Sequence, residues 1–235
     1  KDSKEWSEHI RFTCQQPSFT PLAATDKGWL VTGSKFSPSG ELVEYNDTNA
    51  LYLYNPETRE FSEKLYQDPN YDVGGFTGTC RNASGGAGVD YDTRKLLYVT
   101  YEAQEPVKIY FDDEIAEIYN GLDAVFPNEW VSVVTRDKDR NKMVIRVSSP
   151  SNPGDYYFYN REQSQLIPLY TYAPWIDRKI MAETIPVKYT ARDGLVIPAY
   201  LTLTKKKTDK NYMIVLPHGG PNTKQRIGFD WWTQF

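Results

Sequence analysis

The sequence has few of the features that would tie a protein to a membrane. No apolar run in its 235 residues approaches the ~20 that a membrane-spanning helix requires. Residues 1–8 also lack the apolar core of a signal peptide. We therefore expect no membrane partner and a cytoplasmic location. A periplasmic or secreted protein is the alternative, because a chain that begins without Met has either lost a leader or is a fragment.

Cysteine, histidine and excess charge are also scarce. The chain has two cysteines, Cys14 and Cys80, two histidines, and a formal net charge of -4 whose contributing residues are interspersed. Two cysteines without close spacing are more typical of free thiols packed as small apolar side chains than of a disulfide or half a metal site. A mild, interspersed charge gives no basic surface for nucleic acid. We expect no metal, no other cofactor and no nucleic-acid partner.

Aromatic residues, by contrast, are abundant and recur along the chain. With 18 Tyr, 10 Phe and 6 Trp in runs separated by Gly, Pro, Asn and Asp, the sequence indicates a mostly β fold. Tyr-rich runs repeat at roughly 50 residues, each after a polar turn and a strand, which is typical of the four-stranded blades of a β-propeller. We predict three or more blades of an incomplete propeller, since closed propellers usually have at least four. The predicted strands include 41–45, 51–55 with 65–66, 96–101, 107–111 with 118–119, 142–148, and 156–160 with 169–170.

A different pattern lies near the C-terminus. The apolar run 212–216 is bounded by a Lys-rich segment and by Pro217-His218-Gly219-Gly220-Pro221, and it predicts a short strand buried on both faces. Two adjacent glycines at the end of such a strand allow the backbone to approach a bound group and turn its N–H donors toward it. An oxyanion hole requires this geometry. Gly-Gly-Pro after a strand is also a common turn, so the loop alone leaves both interpretations open.

The residues on either side of this pattern extend the prediction. Two β-rich runs, 185–189 and 195–203, are joined by Ala191-Arg192-Asp193-Gly194, and Asp-Gly is a strong signal for an antiparallel hairpin. After the glycine loop we expect a helix whose apolar side packs in the core. The residues of that side are Phe229, Trp231, Trp232 and Phe235.

In this order, the hairpin, the segment Ile-Val-Leu-Pro-His-Gly-Gly-Pro and the segment Gly-Phe-Asp…Gln-Phe resemble the start of the peptidase domain in the prolyl oligopeptidase family. The similarity is greatest to its acylaminoacyl-peptidase and dipeptidyl-aminopeptidase branch, whose later propeller blades residues 72–157 also resemble. The resemblance implies a β-propeller over an α/β-hydrolase domain, and hydrolysis of short peptides by a Ser-Asp-His triad. It implies that Gly220 supplies an oxyanion-hole N–H, with Gly219 in the same loop. His218 belongs to the motif but is not the triad base.

The triad itself cannot be recognised in the chain. Acyl transfer by a serine hydrolase requires a nucleophile, a general base and an acid that orients the base. No Gly-x-Ser-x-Gly occurs, and the other histidine, His9, lies in a polar segment far from the glycine loop. We therefore predict an inactive fragment of a serine peptidase. Residues 1–183 would be propeller blades, the earliest part unassigned, and 184–235 the start of the α/β-hydrolase domain, including its hairpin and first core strand.

Two other classes of protein are consistent with these residues. An α/β-hydrolase esterase could share the glycine loop, although esterases ordinarily lack a preceding propeller. A non-catalytic β-propeller could serve as a binding or scaffold module. For the peptidase, the expected partners are short peptide substrates and the remainder of the peptidase domain, and a homo-oligomer is left open. Dipeptidyl, acylaminoacyl and post-proline specificity are not distinguished by the sequence.

Overall fold

The computed structural model describes residues 8–12, 16–74, 85–205, 212–220 and 224–235, and Cys14 and Cys80 lie outside these ranges. The described residues form fifteen strands in five sheets, with two helices, which confirms the mostly β prediction. The strands are β1 Phe19–Thr25, β2 Gly28–Gly33, β3 Lys35–Phe36, β4 Leu42–Glu44, β5 Ala50–Asn55, β6 Glu60–Phe61, β7 Gly85–Val89, β8 Leu96–Glu102, β9 Pro106–Tyr110, β10 Trp130–Arg136, β11 Lys142–Ser149, β12 Asn152–Asn160, β13 Gln165–Thr171, β14 Thr184–Thr190 and β15 Val196–Thr202. The helices are α1 Asp113–Val125 and α2 Trp231–Gln234.

The chain folds as two compact units. The first unit comprises Lys1–Ala103 with Val107–Ile115, and the second comprises Gln104–Pro106 with Ala116–Phe235. The predicted domain boundary between residues 183 and 184 stays a prediction.

The first unit contains a four-stranded sheet in the order β1-β2-β5-β6, with β3 and β4 forming a separate two-stranded ribbon. The central strands β2 and β5 are antiparallel, with Trp29 opposite Tyr54 and Val31 opposite Tyr52. Tyr52 and Tyr54 are buried together with Phe19, and Phe61 packs edge-on against Phe19. The Tyr-rich run at 51–55 is therefore a core strand, as its pattern predicted.

A three-stranded sheet in the order β7-β8-β9 completes the first unit. In β8, Leu97, Val99 and Tyr101 are buried and alternate with partly exposed residues, because successive side chains of a strand point to opposite faces. The predicted strands at 96–101 and 107–111 correspond to β8 and β9.

The segment that follows β9 is a helix, so the prediction of a further strand around residues 118–119 is wrong. Helix α1 begins where the Asp112 carboxylate accepts a hydrogen bond from the Ile115 amide at 3.0 Å, as an N-cap side chain does. Its buried residues, Ile115, Ile118, Tyr119 and Leu122, recur at helical spacing. The acidic residues Asp113 and Glu114 occupy the first turn, where their negative charge interacts favourably with the helix dipole.

The second unit contains the sheet that most closely resembles a propeller blade. Its four strands are neighbours in the order β10-β11-β12-β13, each antiparallel to the next. Met143, Ile145 and Val147 of β11 are buried in alternation. The turn before β11 is fixed by Asp137, whose carboxylate accepts hydrogen bonds from the Asn141 and Lys142 amides at 2.9 and 3.0 Å. This sheet agrees with the predicted strands at 142–148, 156–160 and 169–170.

The predicted hairpin forms a two-stranded sheet of β14 and β15. Ile185 lies opposite Leu201, and Thr190 lies opposite Val196. In the connecting turn, the Ala191 amide donates to the Leu195 carbonyl at 2.8 Å, and Gly194 has a φ of 89°. Because that φ lies in the left-handed region, the turn requires glycine at the position where the sequence supplies it.

A hydrogen-bonded chain of side chains in the first unit makes stability depend on pH. The Tyr66 hydroxyl donates to the Tyr101 hydroxyl at 3.1 Å, and the Tyr101 hydroxyl donates to the Asp68 carboxylate at 2.8 Å. That carboxylate also accepts from the Asn70 and Tyr71 amides. Burial raises the pKa of Asp68, but these three hydrogen bonds outweigh burial and leave its pKa below the ordinary value.

Asp68→Asn is expected to lower the free energy of unfolding by about 1 kcal/mol at pH 7, because the hydrogen bonds lose their ionised acceptor. A depressed pKa stabilises the fold fully above the unfolded-state pKa of about 4, and this contribution is lost as pH falls through the folded-state pKa. Urea unfolding of both proteins from pH 7 to pH 2 should therefore show a difference that shrinks below about pH 4. A constant difference across that range would contradict this account of Asp68.

Candidate active-site loop

Residues 212–220, which contain the predicted strand and glycine loop, belong to no strand of the described structure. The side chains of the apolar run are exposed, from 83% for Tyr212 to 58% for Leu216. The prediction of a strand buried on both faces, the first core strand of an α/β-hydrolase domain, is therefore wrong for this structure. The chain supplies the residues of the motif but does not place them at the edge of a sheet.

The physical reason is that residues 212–216 have no neighbouring strand in the described structure. A strand within a parallel sheet is stabilised by hydrogen bonds to neighbours on both sides and by layers that cover its faces. Within the described part of the chain, the nearest predicted partners, β14 and β15, pair only with each other. The apolar run 212–216 is therefore solvent-exposed and pairs with no sheet of the described structure.

The glycine loop still has one feature that the sequence did not reveal. Gly220 has a φ of 143°, in a region that residues with a Cβ rarely adopt. An added Cβ on Gly219 would meet nothing within 4 Å, so space around that residue is open. Of the two glycines, Gly220 is thus the one whose backbone conformation requires the absence of a side chain.

The polar groups of the loop face solvent. The Nδ1–H of His218 donates to the Gly219 carbonyl at 2.7 Å, and His218 is exposed. Its ring therefore holds the loop locally and has no described acid partner of the kind a triad base needs. Within the described residues, neither the Gly219 nor the Gly220 amide donates a hydrogen bond to a backbone acceptor. The oxyanion-hole role of the Gly220 N–H stays a prediction.

The segment after the loop forms one helical turn instead of a core helix. Asp230 caps α2, because its carboxylate accepts hydrogen bonds from the Trp232 and Thr233 amides at 2.8 and 3.1 Å. Trp231, Trp232 and Phe235 are exposed, so the prediction that they pack in the core is wrong. Phe229 lies edge-on against Trp231, with ring centroids 5.0 Å apart. No role was predicted for Asp230 from the sequence, although an Asp directly before an apolar run is an N-cap signal.

The described residues contain neither a candidate membrane-spanning helix nor a candidate metal centre. None of the helices described is long and apolar enough to cross a membrane. No group of three or more His, Cys, Asp or Glu side chains in the described ranges could hold a metal ion.

The described residues thus form a mostly β structure with blade-like sheets, and the glycine motif follows the last strand, β15. Two curated proteins resemble the chain at low identity. Dipeptidyl aminopeptidase BIII of Pseudoxanthomonas mexicana is 27% identical over 159 residues, covering 64% of this chain and 23% of that protein. Dipeptidyl peptidase family member 6 of Caenorhabditis elegans is 25% identical over 256 aligned positions, covering 97% of this chain and 32% of that protein.

The chain therefore spans between about a quarter and a third of the length of these relatives. No family model matches the sequence. The two similarities support a distant relationship to dipeptidyl peptidases.

Proposed function

We propose that this chain is part of a serine peptidase of the prolyl oligopeptidase type that hydrolyses short peptides. The observation that carries the proposal is that two relatives, one bacterial and one from an animal, are named dipeptidyl aminopeptidase and dipeptidyl peptidase. The resemblance of residues 185–235 to the start of such a peptidase domain agrees with this. In this proposal the protein is cytoplasmic, and the propeller restricts entry to short peptides.

In the proposed mechanism, attack on the scissile carbonyl generates a negative charge on its oxygen. The Gly220 amide donates a hydrogen bond to that oxyanion, and Gly219 provides the open backbone that lets the substrate approach. The positive φ of Gly220 supports this assignment. His218 shapes the loop through its hydrogen bond to Gly219 and does not act as the base.

The nucleophile, base and orienting acid are proposed to lie outside residues 1–235. No Gly-x-Ser-x-Gly occurs within these residues, and His9 is engaged with the Tyr54 hydroxyl at 2.7 Å and packs against Trp29. The chain on its own is therefore proposed to be inactive.

Active-site labelling tests the assignment of the nucleophile. A fluorophosphonate probe is expected to modify the full-length protein at one serine, because such probes react with activated serines and not with ordinary hydroxyls. Peptide mapping should place the label in a Gly-x-Ser-x-Gly outside residues 1–235. A label on a serine within residues 1–235, or no label on a folded full-length protein, would contradict the proposal.

A further inference from the structure

The side chain of Gln234 makes three hydrogen bonds to backbone groups that are distant in the sequence. Its Nε2 donates to the Pro150 carbonyl at 2.9 Å and to the Ala182 carbonyl at 2.8 Å. Its Oε1 accepts from the Ala182 amide at 2.9 Å. Both N–H groups of the side-chain amide and its oxygen are therefore paired, which leaves little of its hydrogen-bonding capacity unused.

The three backbone groups belong to two residues in different parts of the second unit. Pro150 lies in the turn between β11 and β12, and Ala182 lies shortly before β14. With Ala182, the glutamine amide pairs through both its donor and its acceptor, as a neighbouring peptide group would in a strand ladder. One side chain thus connects the blade-like sheet, the segment that leads to the hairpin, and the turn α2.

The surroundings favour a specific role for this residue. In the stretch 231–235, Gln234 is the one residue that is not exposed, although its neighbours include Trp231, Trp232 and Phe235. Ala182 is buried, so an unpaired amide at that position would lose solvent without gaining a partner. In the turn α2, Trp231, Trp232 and Phe235 are exposed, and the hydrogen bonds of Gln234 join the turn to the rest of the second unit. Earlier in the segment 224–235, Ile227 is also buried.

We propose that Gln234 is a latch that fastens the segment 224–235 to the β11–β12 turn and to the chain before β14. When the latch is closed, the chain that follows the glycine loop is held at a fixed place on the second unit. When it opens, residues 224–235 are released while the β10–β13 sheet remains folded. The inference rests on the contacts of Gln234 alone and does not depend on the proposed peptidase function.

Hydrogen exchange on the full-length protein tests the latch, because the Ala182 amide donates directly to Gln234. In the wild type, this amide should exchange more slowly than in an unstructured peptide, although Ala182 lies in no strand. Gln234→Met keeps a side chain of similar length without the three hydrogen bonds, and it should raise exchange at Ala182 about tenfold. The amides of Ile145 and Val147 in β11 should remain protected.

Gln225→Met is the matched control. Gln225 lies in the same segment and is exposed, and its side chain donates a local hydrogen bond to the Arg226 carbonyl at 3.4 Å. This variant should leave exchange at Ala182 unchanged. An unprotected Ala182 amide in the wild type would overturn the latch even if the Met variant failed to fold. Equal exchange at Ala182 in the wild type and a folded Gln234→Met protein would overturn it as well.

Discussion

Replacing Gly220 by valine in the full-length protein is expected to lower kcat about 10²–10³-fold, with a much smaller change in KM. An oxyanion-hole donor acts on charge that develops in the transition state, so its loss affects turnover more than substrate binding. A β-branched residue cannot adopt the φ of 143° observed at Gly220 without strain, and the backbone must rotate its N–H away from the oxyanion position.

Gly228→Ala is the control for this substitution. Gly228 lies in the same C-terminal stretch, a Cβ there would meet nothing within 4 Å, and its φ is not in the left-handed region. The kcat of the Gly228→Ala protein should stay close to that of the wild type. An unchanged kcat for folded Gly220→Val would remove Gly220 from the catalytic site.

Gly33→Ala is expected to destabilise the first unit by about 3 kcal/mol, the largest effect on stability that we predict. Gly33 ends β2 with a φ of 135°, and a Cβ there would lie 2.3 Å from the Ser18 carbonyl oxygen. That oxygen cannot move aside freely, because it accepts a hydrogen bond from the Ser34 amide at 2.9 Å. The substitution therefore combines backbone strain with a collision against fixed backbone.

Gly40→Ala separates these two contributions. Gly40 also has a positive φ, of 91°, but a Cβ there would meet nothing within 4 Å. This variant should lose only about 1 kcal/mol, from backbone strain alone. Urea unfolding of the two variants and the wild type measures the difference. If Gly33→Ala and Gly40→Ala lower the free energy of unfolding equally, the close approach of Ser18 to Gly33 does not contribute to the destabilisation.

The parts of the fold that follow from local pattern could be predicted from the sequence. Asp193-Gly194 supplies the left-handed glycine of a tight turn, and the flanking runs form the hairpin β14–β15. The Tyr-rich runs at 51–55 and 156–160 form β5 and β12, because aromatic side chains pack well on a pleated, half-buried sheet.

Helix α1 was missed although its signals are present. Asp112 provides an N-cap, and the apolar residues at 115, 118, 119 and 122 follow the helical period. The expectation that the blade pattern continues assigned residues 118–119 to a strand. The repeat of Tyr-rich runs at roughly 50 residues thus gave the wrong assignment for residues 118–119. The helical spacing of the apolar residues in the same segment indicates the helix that is observed.

The site could be predicted only as a motif. Residues 212–216 are apolar and adjacent, but whether such a run is a buried strand depends on neighbours that the run itself does not specify. In the structure it is exposed, and the amides of Gly219 and Gly220 are placed at no sheet edge. The contacts of Gln234 could not be read from the sequence either, since they join residues 52 and 84 positions apart.

Release of dipeptides by the full-length protein tests the central claim most directly. The measurement is kcat/KM on a panel of chromogenic substrates that carry a free N-terminal dipeptide, an acylated amino acid or an internal proline. We predict hydrolysis of the dipeptidyl substrates, with the activity abolished by the fluorophosphonate probe. Folded full-length protein that cleaves none of the three classes would contradict the assignment as a peptidase, and would favour a non-catalytic β protein.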